Sequence, residues 1–269
     1  MGFVNIGTLR VSRFILGSNP FSGFSHQSPE KDMEMKRYYT CARIKEVLRE
    51  AEKLGINTLV ARADHHIIRV LLEYRDEGGK LQWIAQTCPE LGTMERGINN
   101  AIYGGAQGCY IHGGFMDFLF ANNRLDEVPL AIEKIKKAGL PAGIAAHNPK
   151  VLEWAEKNLN VDFYMCSYYI PTVRDKDPEH KSGMVEIFSD EDRERMVSVI
   201  KNLKRPAIHY KVMAAGRKDP EEAIAFVSKH LRPQDAVCIG IYPKDKPYML
   251  QENLSLLQKY LASYKKGEI

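Results

Sequence analysis

The chain has 269 residues, 44% of them hydrophobic and 27% charged, with a formal net charge of +4. That length suits one (β/α)8 domain, and the composition is that of an ordinary soluble fold. The small charge and the lack of an Arg/Lys cluster with interleaved aromatics argue against nucleic acid, and no apolar run approaches the roughly 18 residues of a membrane span.

Five cysteines, at positions 41, 88, 109, 166 and 238, are odd in number and form no CxxC pair. They fit a reducing compartment, so a cytoplasmic location is expected, without disulfides or a structural zinc site. The first residues show no basic region followed by an apolar stretch, and no signal peptide is expected.

Residues 3–12 read as a small hairpin turning at Gly7-Thr8. A first buried strand follows at Phe14–Gly17, then a long polar segment, residues 18–39, holding Asn19-Pro20 and Ser25-His26-Gln27. So long a connection reads as a functional lid. Ile44, Val47, Leu48 and Ala51 recur at helical spacing, and Gly55 stops that helix. Strands at 58–62, 83–86, 109–111, 142–146, 162–166, 207–212 and 236–240 then alternate with helices. The last helix repeats Leu254, Leu257 and Leu261 on one face. Eight strands, each followed by a helix, predict a single α/β domain over residues 1–269, a (β/α)8 TIM barrel with its chemistry where the strands end.

Alternation along a strand sends every second side chain to one face. Val60 and Arg62 then point into the barrel with Asp64 just beyond, and Tyr110 and His112 point inward. In the seventh strand His209 and Lys211 point inward, while Ile208, Tyr210 and Val212 face the helices. Other strands end on His147-Asn148 and Ser167-Tyr168-Tyr169, and Gly113-Gly114 allow a sharp turn after His112. The mouth is expected to collect Asn19, Arg62, Asp64, His65, His66, His112, His147, Tyr168 and Lys211.

So many ionisable groups at strand ends read as a binding or catalytic site. His112, with His65 or His66, is the proton-transfer candidate. Lys211 and Arg62, with Asp64, complete the catalytic set, the two cations orienting an anionic or carbonyl-bearing substrate. Asn19, His26, His147, Asn148, Tyr168 and Tyr169 are read as substrate-binding. Plainer readings stand beside these. His209 and Tyr110 suit the core, Arg62 and Asp64 suit a structural ion pair, one of His65 and His66 suits solvent, and the charge run 174–181 suits a solvated loop.

The stretch from Gly7-Thr-Leu-Arg-Val through Leu16-Gly-Ser-Asn-Pro-Phe-Ser-Gly23 resembles the opening of bacterial aldo-keto reductases. Gly55-Ile-Asn57, Tyr110-Ile-His112, His147-Asn-Pro-Lys-Val-Leu152, Lys211-Val-Met-Ala-Ala-Gly216 and Glu252-Asn-Leu254 are similar to further motifs of that family, in the same order. The resemblance implies a hairpin plugging the barrel bottom and an NADP site, with Lys244, Lys246, Glu252 and Asn253 as cofactor-binding candidates. In that family an Asp, Tyr, Lys, His tetrad reduces carbonyls, the tyrosine giving a proton while NADPH gives hydride. The four positions fall here on Val60, His65, Thr87 and His112. Only the histidine is kept, so the resemblance implies the scaffold, and standard NADPH carbonyl reduction is not expected.

The reading is an aldo-keto-reductase-like enzyme doing acid–base chemistry on a small polar metabolite. One alternative is a metal-dependent isomerase or hydrolase with Asp64, His66, His112 and His147 around one divalent ion. Another is a non-catalytic small-molecule-binding barrel, and a Schiff base at Lys211 is a lesser option. No nucleic acid or membrane is expected as a partner, and the aromatic content leaves the oligomeric state open.

Overall fold

The computed structural model describes residues 2–266. An antiparallel hairpin, β1 (Phe3–Ile6) and β2 (Leu9–Ser12), opens the chain with Val4 opposite Val11 and Ile6 opposite Leu9. Gly7 makes the turn at φ +57, where a Cβ would lie 2.8 Å from Pro141 Cβ. Val4, Ile6 and Val11 are buried in one apolar cluster with Ile15, Ile84 and Phe163. The hairpin thus closes one end of the barrel, and Ser12 N–H donating to Asn57 Oδ1 at 2.8 Å ties it to the wall.

Eight parallel strands form the closed barrel: β3 (Phe14–Gly17), β4 (Thr58–Arg62), β5 (Gln82–Gln86), β6 (Gly108–Ile111), β7 (Ala142–Ala146), β8 (Phe163–Ser167), β9 (Ala207–Tyr210) and β10 (Ala236–Gly240). β10 pairs with β3 to complete the ring. Both faces of each strand are covered, which is why they read as apolar runs rather than alternations. One apolar cluster fills the barrel, and a larger one lies between strands and helices.

Ten helices surround the barrel: α1 (Pro29–Tyr38), α2 (Cys41–Lys53), α3 (His65–Asp76), α4 (Met94–Tyr103), α5 (Gly113–Ala121), α6 (Val128–Lys137), α7 (Pro149–Asn158), α8 (Asp190–Ile200), α9 (Pro220–His230) and α10 (Met249–Lys266). Among the described residues, no helix is long and apolar enough to cross a membrane. Two depart from the sequence reading. α1 occupies the segment expected to be a loop; it is capped by Ser28, whose hydroxyl accepts Lys31 N–H at 3.2 Å, with Pro29 in its first turn. Its polar composition hid it, because capping rather than an apolar face marks it.

α5 begins directly after His112, where a turn was expected. Two glycines there are poor helix formers. A Cβ on Gly113 would lie 3.0 Å from Tyr210 Oη, and one on Gly114 would lie 2.6 Å from Pro178 O. Close approach, not flexibility, requires glycine at both positions.

Candidate active site at the barrel mouth

A cavity of about 470 Å³ opens where the parallel strands end. Val60, Met165 and Cys238 form its apolar depth, and Asn19, Gln86, Tyr110, Tyr210, His26 and Lys211 supply its polar groups. The alternation of β9 is opposite to expectation. Ile208 and Tyr210 lie with the barrel-filling cluster, whereas His209 points outward, its Nδ1 accepting from Tyr168 Oη at 2.9 Å and its Nε2 lying 3.3 Å from Asp235 Oδ2.

Lys211 nevertheless reaches the mouth, because the strand ends at Tyr210 and Lys211 takes a left-handed conformation, φ +58. Ala214 and Ala215 follow at φ +47 and +55, so one short turn holds three non-glycine residues in a region side chains disfavour. Lys211 Nζ donates to His26 Nε2 at 2.8 Å, and His26 Nδ1–H donates to Glu186 at 2.9 Å. Burial draws the lysine down to about 8. Burial, reinforced by the lysine charge, draws His26 down to about 3, so its ring is neutral. Burial opposes ionisation of Glu186, yet the rings of His180 and His26 beside it hold its carboxyl well below the usual range.

A second chain of polar groups ends at the neighbouring residue. Asp117, on α5, accepts His147 Nδ1–H at 2.8 Å and the backbone N–H groups of His147 and Asn148 at 3.2 and 3.1 Å. His147 Nε2 lies 3.5 Å from Tyr210 Oη. Burial and the Asp117 charge push the Tyr210 phenol well above its ordinary value, so it is a protonated donor. Tyr110 Oη donates to Gln86 Oε1 at 2.8 Å beside it. His112 lies under the segment carrying Pro178, with Nδ1 buried and unpartnered. Burial, then the charges of His147, Arg62 and Arg174, lowers its pKa well below the histidine norm.

Several expected site residues have other positions. His65 and His66 are exposed on the first turn of α3, outside the cavity, so proton transfer there lacks geometry. Asp64 caps α3, accepting Ile67 N–H at 2.9 Å, and pairs with Arg62 at 2.8 Å. Arg62 also pairs with Glu90 and lies against Phe24, so its charge is already engaged. The plainer reading, a structural ion pair, describes them.

Tyr168 lies between barrel and helices with His209, and Tyr169 is buried against Phe188, so neither reaches the mouth. Asn148 caps α7 through Lys150 N–H at 3.1 Å. Asp64, His66, His112 and His147 do not gather around one point: the first caps a helix, the second is exposed and the last is held by Asp117. Asn19 and His26 do line the cavity, with Asn19 Nδ2 3.5 Å from His26 Nε2.

Asp117, Tyr210, His180 and Glu186 were not read as site residues. Asp117 sits on the helix hidden by its glycines, and Tyr210 was placed on the wrong face. His180 falls in the charge run taken for a solvated loop, and Glu186 lies just past it. That run packs against the first mouth loop, the His180 ring 4.5 Å from that of His26, and Arg174 is only 8% exposed. The signal was available in part, since Arg174, His180 and Glu186 follow a strand end in a long connection, where barrel sites form.

No family model matches the chain, and no curated protein matches it. Solved structures do. A protein assigned as an aldo-keto reductase from Pseudomonas aeruginosa shares 15% identity at a TM-score of 0.64, over 97% of this chain and 94% of its own. An aldo-keto reductase of Bacillus halodurans, in its holo form, shares 13% at a TM-score of 0.61, over 99% and 96%. A truncated 3-deoxy-D-arabino-heptulosonate 7-phosphate synthase from Thermotoga maritima shares 11% at 0.54, over 98% and 91%. The chain therefore has an aldo-keto-reductase-like TIM barrel fold. Because the likeness also extends to a synthase, the fold does not decide the chemistry.

The donor set of the outer cavity bears on whether NADP would fit. Lys246, Glu252 and Asn253 line the outer groove with Asp245. Lys244 is tied instead to Glu34 at 2.7 Å, and Lys218 to Asp190 at 2.6 Å. Lys246, set between the carboxylates of Asp245 and Glu252, suits a dinucleotide phosphate poorly. At the family's acid–base positions, Val60 packs in the barrel and Thr87 Oγ1 accepts His112 N–H at 3.0 Å. The residues do not fit the nicotinamide reaction.

Proposed function

We propose that the mouth is the active site of an enzyme that moves a proton on a small polar metabolite bearing a carbonyl group. One observation carries this reading: consecutive residues, Tyr210 and Lys211, bring a phenol and an ammonium to one cavity, each backed by its own buried histidine–carboxylate pair. Lys211 donates to the substrate oxygen and steadies negative charge as it develops. Tyr210 gives or receives the proton. His147 Nε2 accepts from the phenol, and Asp117 orients that ring and stabilises its protonated form, a division of labour known from other acid–base relays. His26 and Glu186 keep the ammonium aimed, since a neutral ring accepts from Lys211 only while Glu186 holds its other N–H.

The test is exchange of substrate C–H protons in heavy water, followed by proton NMR over a panel of small hydroxy-ketones, keto acids and sugar carbonyls. The wild type is expected to exchange at least one member. Lys211→Met and Tyr210→Phe are each expected to lose about 10²- to 10⁴-fold, the usual range for a positioned acid or base. Unchanged exchange in both variants would sink the reading.

A further inference from the structure

We propose that His26, His180 and Glu186 form a binding site for one divalent transition metal ion, at the seam between two mouth loops. One donor atom from each lies within 4.8 Å of the others. His26 Nδ1 is 2.9 Å from Glu186 Oε2, and His180 Nδ1 is 3.5 Å from Oε1 of the same carboxylate. Metal–nitrogen and metal–oxygen bonds of about 2.0–2.1 Å at tetrahedral angles place donor atoms about 3.3–3.4 Å apart. The two spacings bracket that value, and with the third, between His26 and His180, within 4.8 Å, small side-chain rotations bring all three donors onto one ion.

Two further observations point to a ligand. His180 Nδ1 is buried and, among the described residues, makes no hydrogen bond, although Glu186 Oε1 lies 3.5 Å away. Such an atom is normally partnered, and this one faces the carboxylate that His26 already occupies. His26 itself takes φ +56, a strained conformation that aims one ring nitrogen at Glu186 and the other at Lys211. The loops are already joined beneath the cluster, where Asp32 accepts from Ser25 N–H at 2.9 Å and from the Ser25 and Ser182 hydroxyls.

The chemistry of the donors sets the class of ion. Two imidazoles and one carboxylate suit zinc, manganese, iron(II) or cobalt over calcium or magnesium, and three protein ligands leave a position open for water or another ligand. The nearby charges are mixed. Lys211 and Arg174 oppose a cation, and Asp32 offsets them from the His180 side. Lys211 bonds to His26 Nε2, not to the proposed ligand atom Nδ1; metal on Nδ1 moves the ring's one proton to Nε2, so Lys211 then accepts it as the neutral amine and one proton is released on binding. This set shares no residue with the Asp64, His66, His112 and His147 group.

The experiment is titration of chelator-treated full-length protein with Zn²⁺ by calorimetry and with Co²⁺ by visible absorption. One equivalent of Zn²⁺ is expected to bind at micromolar Kd or tighter, and Co²⁺ to give the intense bands of a four-coordinate ion. His180→Ala and Glu186→Gln are each expected to weaken Zn²⁺ binding at least 100-fold with circular dichroism unchanged. The double variant His65→Ala/His66→Ala is expected to leave it unaltered. Absence of stoichiometric binding to the wild type up to 1 mM Zn²⁺, or unchanged affinity in His180→Ala, would overturn the proposal. The exchange assay for Lys211 and Tyr210, run on metal-free and metal-loaded protein, fails or succeeds separately.

Discussion

Tyr210 and Lys211 are neighbours in sequence, and both line the same cavity. In an extended strand they would point to opposite faces. The strand stops at Tyr210, and the left-handed backbone of Lys211 swings its side chain back toward His26, 2.8 Å away. The position therefore stores strain for the benefit of the site.

That strain is measurable. A non-glycine residue in the left-handed region costs about 1–2 kcal/mol, and burying an ammonium adds to the cost. Lys211→Gly is expected to raise the thermal midpoint while abolishing proton exchange. A lower midpoint would show that Lys211 stabilises the fold and would remove the argument from strain.

The Asp117–His147–Tyr210 chain predicts graded losses. Tyr210→Phe removes the proton carrier and is expected to cost most. Asp117→Asn keeps the size but leaves the tautomer of His147 unfixed, and is expected to lower kcat by at least about tenfold with a smaller change in KM. Steady-state kinetics on the substrate found by exchange decides this. A larger effect on KM than on kcat would reassign Asp117 to packing.

Acid should weaken the fold in a defined window. His112 and His147 are both held neutral, with pKa values below 6.5, chiefly by burial. As pH falls through 6.5 the unfolded chain takes up protons that the folded chain refuses, so stability drops on acidification. Urea midpoints at about pH 7.5 and about pH 5 are expected to differ, with His112→Gln flattening the difference. Equal pH slopes for wild type and variant would contradict the burial argument for His112.

Asp32 is buried and joins the two mouth loops through Ser25 and Ser182. Asp32→Ala is expected to cost about 1–3 kcal/mol, because it leaves those donors without their acceptor. Limited proteolysis should then cut residues 173–188 faster. Unchanged cleavage would mean the segment is held by Arg174 and Glu186 alone.

Much of the architecture was legible in the sequence. Parallel strands covered on both faces read as apolar runs, and helix caps and glycine stops punctuate them, so the barrel and its order follow from the chain. Single side chains were harder. Strand alternation sends Lys211 to the mouth together with His209, whereas the left-handed backbone turns it there beside Tyr210. His65 and His66 look chemical because they are histidines next to a strand end, but Asp64 caps α3 and sets both in solvent. Glu186 and His180 could not be linked to His26, 160 and 154 positions away, by any local pattern. Only the meeting of two loops over the mouth brings them together.

The central claim is that Lys211 and Tyr210 act on one bound molecule. The most direct measurement is the proton-exchange rate of wild type, Lys211→Met, Tyr210→Phe and the double variant on the same substrate. The account predicts that each single change costs about 10²-fold or more and that the double costs far less than the product, as for groups acting as a unit. Single variants that exchange at the wild-type rate would contradict it, and losses that simply multiply would separate the two residues into independent roles.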